Sequence, residues 1–194
     1  DGITANGCTA SICSLDLSKA FDKVNHCALY IKLMQRNFPV DLLELLENWI
    51  NNCFSCVKWR DVYSDFLKYH DCGIRHGSVL SPFLLALYVN DIVNGRKRSS
   101  SAEIILYADD ILLISSSVSK LQDMLNQCEL ELDWRDMRIN ESKSYCLRIG
   151  NRCNAQCASI TTSSGHELEW VNEIRYLGVY IVSSRLFKCS FKQA

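Results

Sequence analysis

No apolar run in this sequence approaches the length of a membrane-spanning helix, so no membrane partner is expected. A secretory leader is missing too: Asp1-Gly2-Ile3-Thr4 is neither basic nor followed by a long apolar region. There is no initiating Met, which suggests a segment excised from something longer. An excess of one charge is also lacking, since 21 Lys and Arg stand against 22 Asp and Glu for a net charge of −1. Affinity for nucleic acid usually comes from Lys and Arg against phosphates, so this chain alone is expected to grip nucleic acid weakly. The basic clusters are small (Arg96-Lys97-Arg98, Lys58 with Arg60, Lys188 with Lys192) and read equally well as solvated surface. Internal repeats and low-complexity stretches are absent.

Cysteine is plentiful but follows no framework. The 11 cysteines are odd in number and irregularly spaced. Without a leader they read as reduced thiols of an intracellular protein, nuclear or cytoplasmic. Cys53-x-x-Cys56 and Cys153-x-x-x-Cys157 would make a zinc site only if the fold joined them; half-buried packing is the simpler reading. With 194 residues, 48 % hydrophobic and 22 % charged, the chain suits one globular domain with a real core.

The organising stretch runs from Ile104 to Ile114, two short apolar runs flanking Tyr107-Ala108-Asp109-Asp110. Each run reads as a buried strand, and the pair as a β-hairpin with Ala108, Asp109 and Asp110 at its turn. Adjacent carboxylates between apolar arms repel one another and resist burial. A hard cation held by oxygens removes that conflict, while solvated turn residues are the plain alternative. Near the N-terminus, Ala10 to Leu15 reads as a strand ending in Asp16. A strand delivering one carboxylate beside a hairpin tip carrying two would build the acid cluster of a two-metal transfer site.

Four ordered motifs carry a family resemblance. They are Asp16-Leu17-Ser18-Lys19-Ala20-Phe21-Asp22-Lys23-Val24-Asn25-His26, Gly77-Ser78-Val79-Leu80-Ser81-Pro82, Tyr107-Ala108-Asp109-Asp110, and Tyr176-Leu177-Gly178-Val179. They resemble successive motifs of reverse transcriptases, and their wording is closest to LINE-type (non-LTR) retrotransposons. The resemblance runs across most of the chain.

The remaining elements follow from local pattern. Asn25 can cap a helix with Leu29, Leu33 and Met34 inward, and Asn37 can stop it. Pro39 can begin a second helix whose stripe of Leu42, Leu45, Leu46, Trp49, Ile50 and Cys53 reads as core. Residues 54–72 alternate and read as a hairpin. The loop from Gly73 enters a helix with Ser81 as cap, Pro82 at the first position, and Phe83 to Val93 as its apolar body before Gly95. Ser99 to Ser101 reads as a loop. Ser119-Lys120-Leu121-Gln122 matches a capping box opening a helix with Leu121, Leu125, Cys128 and Leu132 on one face. A turn at Asn140 to Lys143, a strand from Ser144 to Ile149, a weak strand near Ile160, and strands at 168–170 and 174–182 complete the pattern. This order predicts an α+β fold, an antiparallel sheet with helices on one face. The resemblance implies a polymerase palm over residues 1–194 with a fingers-like segment at about 38–72 and no thumb.

The resemblance also implies roles. Asp16, Asp109 and Asp110 match the metal-binding acids, with the Leu17 carbonyl as an added oxygen and Asp110 the more peripheral ligand. Two Mg²⁺ (or Mn²⁺) ions would activate the primer 3′-OH and neutralise the dNTP triphosphate. Phe21 matches the sugar gate that excludes a 2′-OH by clash, though a core Phe is the plain reading. Arg75, His76 and Gly77 would lie beside the template–substrate pair, with His76 standing where the family usually has Gln. Lys143 resembles the acid that protonates departing pyrophosphate, against a plain surface lysine. Tyr176, Leu177 and Gly178 resemble the primer grip. Asp22 reads as structural. The implied function is RNA-directed DNA synthesis on a primer-template of RNA or DNA during retrotransposition. The competing reading is a truncated, inactive or adapted remnant that binds nucleic acid at most. A nucleotidyl cyclase would leave Phe21 and the Gly77 loop unexplained.

Overall fold

The computed structural model describes residues 8–68, 72–75, 77–94 and 102–191. The chain divides into two compact units, one of Asp1–Ser18 with Asn90–Ala194 and one of Lys19–Val89.

The first unit is built on a sheet whose central strand, β1, spans Ala10–Ser18. On one side it pairs antiparallel with β7 (Asp110–Ser115), which pairs in turn with β6 (Ala102–Tyr107). On its other side it pairs with β8 (Arg138–Ile139) near its end and with β9 (Tyr145–Ile149) along its length. Beyond β9 lie β11 (Glu167–Trp170), which runs parallel to β9, and β10 (Ile160–Thr161). A second sheet of three strands holds β12 (Glu173–Tyr176), β13 (Val179–Val182) and β14 (Lys188–Ser190).

Pleating sorts the residues of β1 onto two faces, and both are covered. Cys13 and Leu15 lie on one face, with Ile111, Leu113 and Cys146 as same-side neighbours. The long helix α5 (Val118–Asp133) buries Leu121, Met124, Leu125, Cys128 and Leu132 and packs on β7 and β1. The opposite face carries Ile12, Leu112, Leu147 and Ile149, which join Ile174 and Ile181 of the second sheet in one core cluster. Burial on both faces explains why residues 111–114 read as an unbroken apolar run. By contrast β6 is an edge strand with Ile105 and Tyr107 exposed, so the expectation of two buried arms holds for the 111–114 arm alone.

The second unit holds α1 (His26–Gln35), α2 (Val40–Asn51) and α3 (Ser81–Val89). As expected, the Asn25 side chain caps α1 by accepting the Ala28 N–H at 3.0 Å. Met34 is exposed, however, and so are Leu42 and Leu45 of α2, whose buried residues are Leu46 and Ile50. The stripe on α2 is therefore core over part of its width. Residues 54–68 form the expected hairpin as two nested pairings, β2 (Phe54–Ser55) with β5 (Leu67–Lys68) and β3 (Lys58–Trp59) with β4 (Val62–Tyr63).

Two helix starts differ from expectation. Ser117, not Ser119, is the N-cap of α5, without a side-chain bond. Gln122 instead exchanges two hydrogen bonds with the backbone of Thr161, at 2.7 and 2.8 Å, tying the helix to β10. Ser81 is the first residue inside α3 and spends its hydroxyl on the Arg75 carbonyl at 2.6 Å. The apolar run after Phe83 is broken near Asn90, where α3 ends before the short α4 (Asp91–Asn94) of the first unit. Gly95, Arg96 to Arg98, Ser99 to Ser101 and Lys192 lie outside the described residues.

Candidate active site

Asp16 and Asp110 are directly paired across β1 and β7. Residues opposite one another in an antiparallel pair point to the same face, so these two carboxylates share one side of the sheet. Asp109 sits beside them in the two-residue turn that joins β6 to β7, closed by the Tyr107–Asp110 pair. Ala108 takes up the left-handed backbone of that turn, with φ of 52°. All three acids are half-buried. The Asp110 pKa is raised, by burial first, then by the charge of Asp109, then by that of Asp16.

The backbone of Asp16 is held from its other side. Its carbonyl accepts the Asn140 N–H at 2.8 Å, and its N–H donates to the Ser144 hydroxyl at 3.2 Å. That hydroxyl donates onward to the Asn140 carbonyl at 2.8 Å. Ser144 thus completes, through its side chain, a strand pairing that the turn at Glu141–Lys143 interrupts. The same turn carries Lys143, which is exposed. Strand backbone groups alternate between edges, so the Leu17 carbonyl faces the β7 edge, the side of the hairpin tip.

The donor set is all oxygen, carries several like charges and is partly removed from water, which fits a hard divalent cation. Among the described residues, no group of three or more His, Cys, Asp or Glu is already arranged to hold a metal ion. That holds for the cysteines as well, and all 11 are free thiols. Cys13 and Cys146 face each other across β1 and β9, and hydrogen bonding between them, with burial, holds the Cys13 thiol pKa well up.

Tyr176, Leu177 and Gly178 form the tip of the β12–β13 hairpin. Leu177 and Gly178 both have positive φ, 48° and 79°, the requirement of a tight two-residue turn.

A family model for reverse transcriptase (RNA-dependent DNA polymerase) matches residues 3–181. The chain belongs to the reverse transcriptase family. It is 30 % identical over 191 residues to an RNA-directed DNA polymerase from the mobile element jockey of Drosophila funebris, covering 92 % of this chain and 20 % of that protein. It is 22 % identical over 193 residues to the Pol polyprotein of the type-2 retrotransposable element R2DM of Drosophila melanogaster, covering 92 % and 18 %. The chain thus spans about a fifth of the length of these relatives. Its fold is similar to that of a telomerase from Candida Tropicalis, with a TM-score of 0.64 at 14 % identity over 96 % of this chain and 30 % of that one. These findings agree with the LINE-type reverse-transcriptase resemblance and the α+β palm expected from the motifs.

The remaining reverse-transcriptase motif residues lie in the second unit. Phe21 is half-buried in the 3-10 turn Ala20–Lys23, and its carbonyl accepts the Ile74 N–H at 2.8 Å. Arg75 and Gly77 are exposed, and Gly77 has φ of 77° with open space where a Cβ would stand. His76 lies outside the described residues. Sequence reasoning missed His26, whose Nε2 lies 2.7 Å from the Gly73 carbonyl in a buried contact. Together with Gly73 N–H to the Val24 carbonyl at 2.8 Å, it binds the first motif to the loop entering α3. It also missed Ser144. A serine directly after a turn, opening an apolar strand, was the available signal.

No helix among the described residues is long and apolar enough to cross a membrane.

Proposed function

We propose that this reverse-transcriptase segment extends a primer 3′ end with deoxynucleotides on an RNA or DNA template, with two divalent cations held at Asp16, Asp109 and Asp110. The pairing of Asp16 with Asp110 at a rigid hairpin tip carries the reading. Mg²⁺ or Mn²⁺, when bound, supplies Lewis-acid activation of the 3′-OH and charge neutralisation at the triphosphate. The chain's own residues do the rest. Asp16 offers its carboxylate from a strand fixed on both sides, and the Leu17 carbonyl adds a neutral oxygen on the hairpin side. Asp109 and Asp110 supply negative charge that water solvates poorly, so a cation gains more there than at an exposed pair. Lys143, on the turn bonded to Asp16, protonates the leaving pyrophosphate.

Leu177 and Gly178 present backbone at a hairpin tip, and with Tyr176 they hold the primer end. In the other unit, which includes the fingers-like segment at about 38–72, the family resemblance gives Phe21 the selection of the sugar and Arg75, His76 and Gly77 the recognition of the incoming base pair. The substrates, the template, the intracellular setting and a longer parent polyprotein come from this same reading. The test is primer extension on RNA and DNA templates by the full reading frame that carries this segment. Deoxynucleotide incorporation that depends on Mg²⁺ and on Asp16 and Asp109 is expected. Template binding without any incorporation would instead favour a remnant that only binds nucleic acid.

A further inference from the structure

The role proposed for Tyr176 at the primer end leaves its hydroxyl unassigned. The Tyr176 hydroxyl is buried and has no hydrogen-bond partner among the described residues. Such a group is costly to leave unpaired. Its surroundings say where the partner lies. Asp16, Ser14 and Ile12 share one face of the sheet with Asp110, Leu112 and Ile114, because each pair is in register across β1 and β7. That is the face the second sheet covers: Ile174 joins the cluster of Ile12, Leu112, Leu147 and Ile149, and Tyr176 packs against it. Tyr176 follows Ile174 by two residues on β12, so both point to the same face. Asp110 lies on that face two residues along β7 from Leu112, a member of the cluster that Tyr176 packs against. A tyrosine phenol is protonated at neutral pH and able to donate.

We propose that Tyr176 is a positioning residue for Asp110, its hydroxyl donating to the Asp110 carboxylate through one bridging water. The hydroxyl would fix the carboxylate's orientation toward the cation and couple the hairpin at residues 173–182 to the acid cluster. This rests on the metal-binding reading above.

The test is Mn²⁺ titration followed by electron paramagnetic resonance on the wild type, Tyr176→Phe, Asp110→Asn and the double variant. Tyr176→Phe is expected to weaken Mn²⁺ binding roughly three- to tenfold, the worth of one hydrogen bond. Its melting temperature without metal should be unchanged or higher, because the ring still fills the same space. In the Asp110→Asn background the Tyr176→Phe change should have no further effect. Addition of Mg²⁺ should perturb the near-ultraviolet tyrosine band of the wild type, and Tyr176→Phe should remove that perturbation. Unchanged Mn²⁺ affinity in Tyr176→Phe would overturn the inference while leaving the metal site standing. Equal weakening in both Asp110 backgrounds would overturn it too, and would leave Tyr176 a packing residue. A wild type that binds no Mn²⁺ would remove both the metal reading and the inference.

Discussion

Asp16 and Asp110 face each other across the central pair of strands, and burial together with neighbouring charge holds the Asp110 carboxyl above its ordinary value of 3.8. The unfolded chain would titrate Asp110 at the ordinary value. Between the two pKa values the folded state therefore binds more protons than the unfolded state. Stability falls as pH rises through that window and stays lower above it. Thermal melts without divalent cations should show this decline, and Asp110→Asn should flatten it. A melting temperature independent of pH just above the ordinary Asp range would remove the repulsion from the account.

Divalent cations should reverse that loss. A cation binding the folded acids alone stabilises by about 2.7 kcal/mol at a concentration a hundred times its dissociation constant. Mg²⁺ or Mn²⁺ at neutral pH should raise the melting temperature of the wild type. Chelator should abolish the gain, and Asp16→Asn should shrink it. Equal gains in wild type and Asp16→Asn would place the ion elsewhere.

Ser144→Ala should destabilise the chain by about 1–3 kcal/mol, because it strips the Asp16 N–H and the Asn140 carbonyl of a shared partner in a buried setting. Ser142→Ala, which loses only an exposed bond to Asn140, should stay within about 0.5 kcal/mol. Urea denaturation of both variants measures the difference. Equal effects would show that Ser144 carries no special burden.

Variants at Phe21 and Asp109 test sugar selection apart from chemistry. In the full reading frame, Phe21→Val should admit ribonucleotides while leaving deoxynucleotide use largely intact. Asp109→Asn should abolish synthesis with either sugar. The readout is the ratio of deoxy- to ribonucleotide kcat/KM beside the melting temperatures. If Phe21 only packs, the Val variant should lose roughly 1–3 kcal/mol of stability with no change in that ratio.

The near-neutral charge of −1 predicts weak binding. Few neutralised phosphates mean a shallow slope of log affinity against log salt, about −0.9 per phosphate contacted on B-form duplex DNA. A steep slope, measured by fluorescence anisotropy on duplex DNA, would reveal a basic surface that the net charge conceals.

The sequence by itself determined the elements that carry the acids. Residues 111–114 are apolar without a break, Ala10 to Leu15 reads as a strand leading into Asp16, and Asn25 is a capping residue; packing later agreed with each, although the strand runs past Asp16 to Ser18, where pairing with β8 extends it. The motif at Tyr176 to Gly178 was equally legible, but the strand expected over 174–182 is split by a two-residue turn at Leu177 and Gly178, whose positive φ values belong to the folded chain. What only the tertiary structure decided depends on partners far away in sequence. Strand register chose Asp110 as the residue opposite Asp16. The edge position of β6 left Ile105 exposed despite its apolar neighbours. A capping-box pattern at Ser119 lost to a long-range bond, because Gln122 found the Thr161 backbone 39 residues away. Tyr176 came to lie on the face of Asp16 and Asp110 because a second sheet folded over the first, which no local pattern in residues 173–182 could announce.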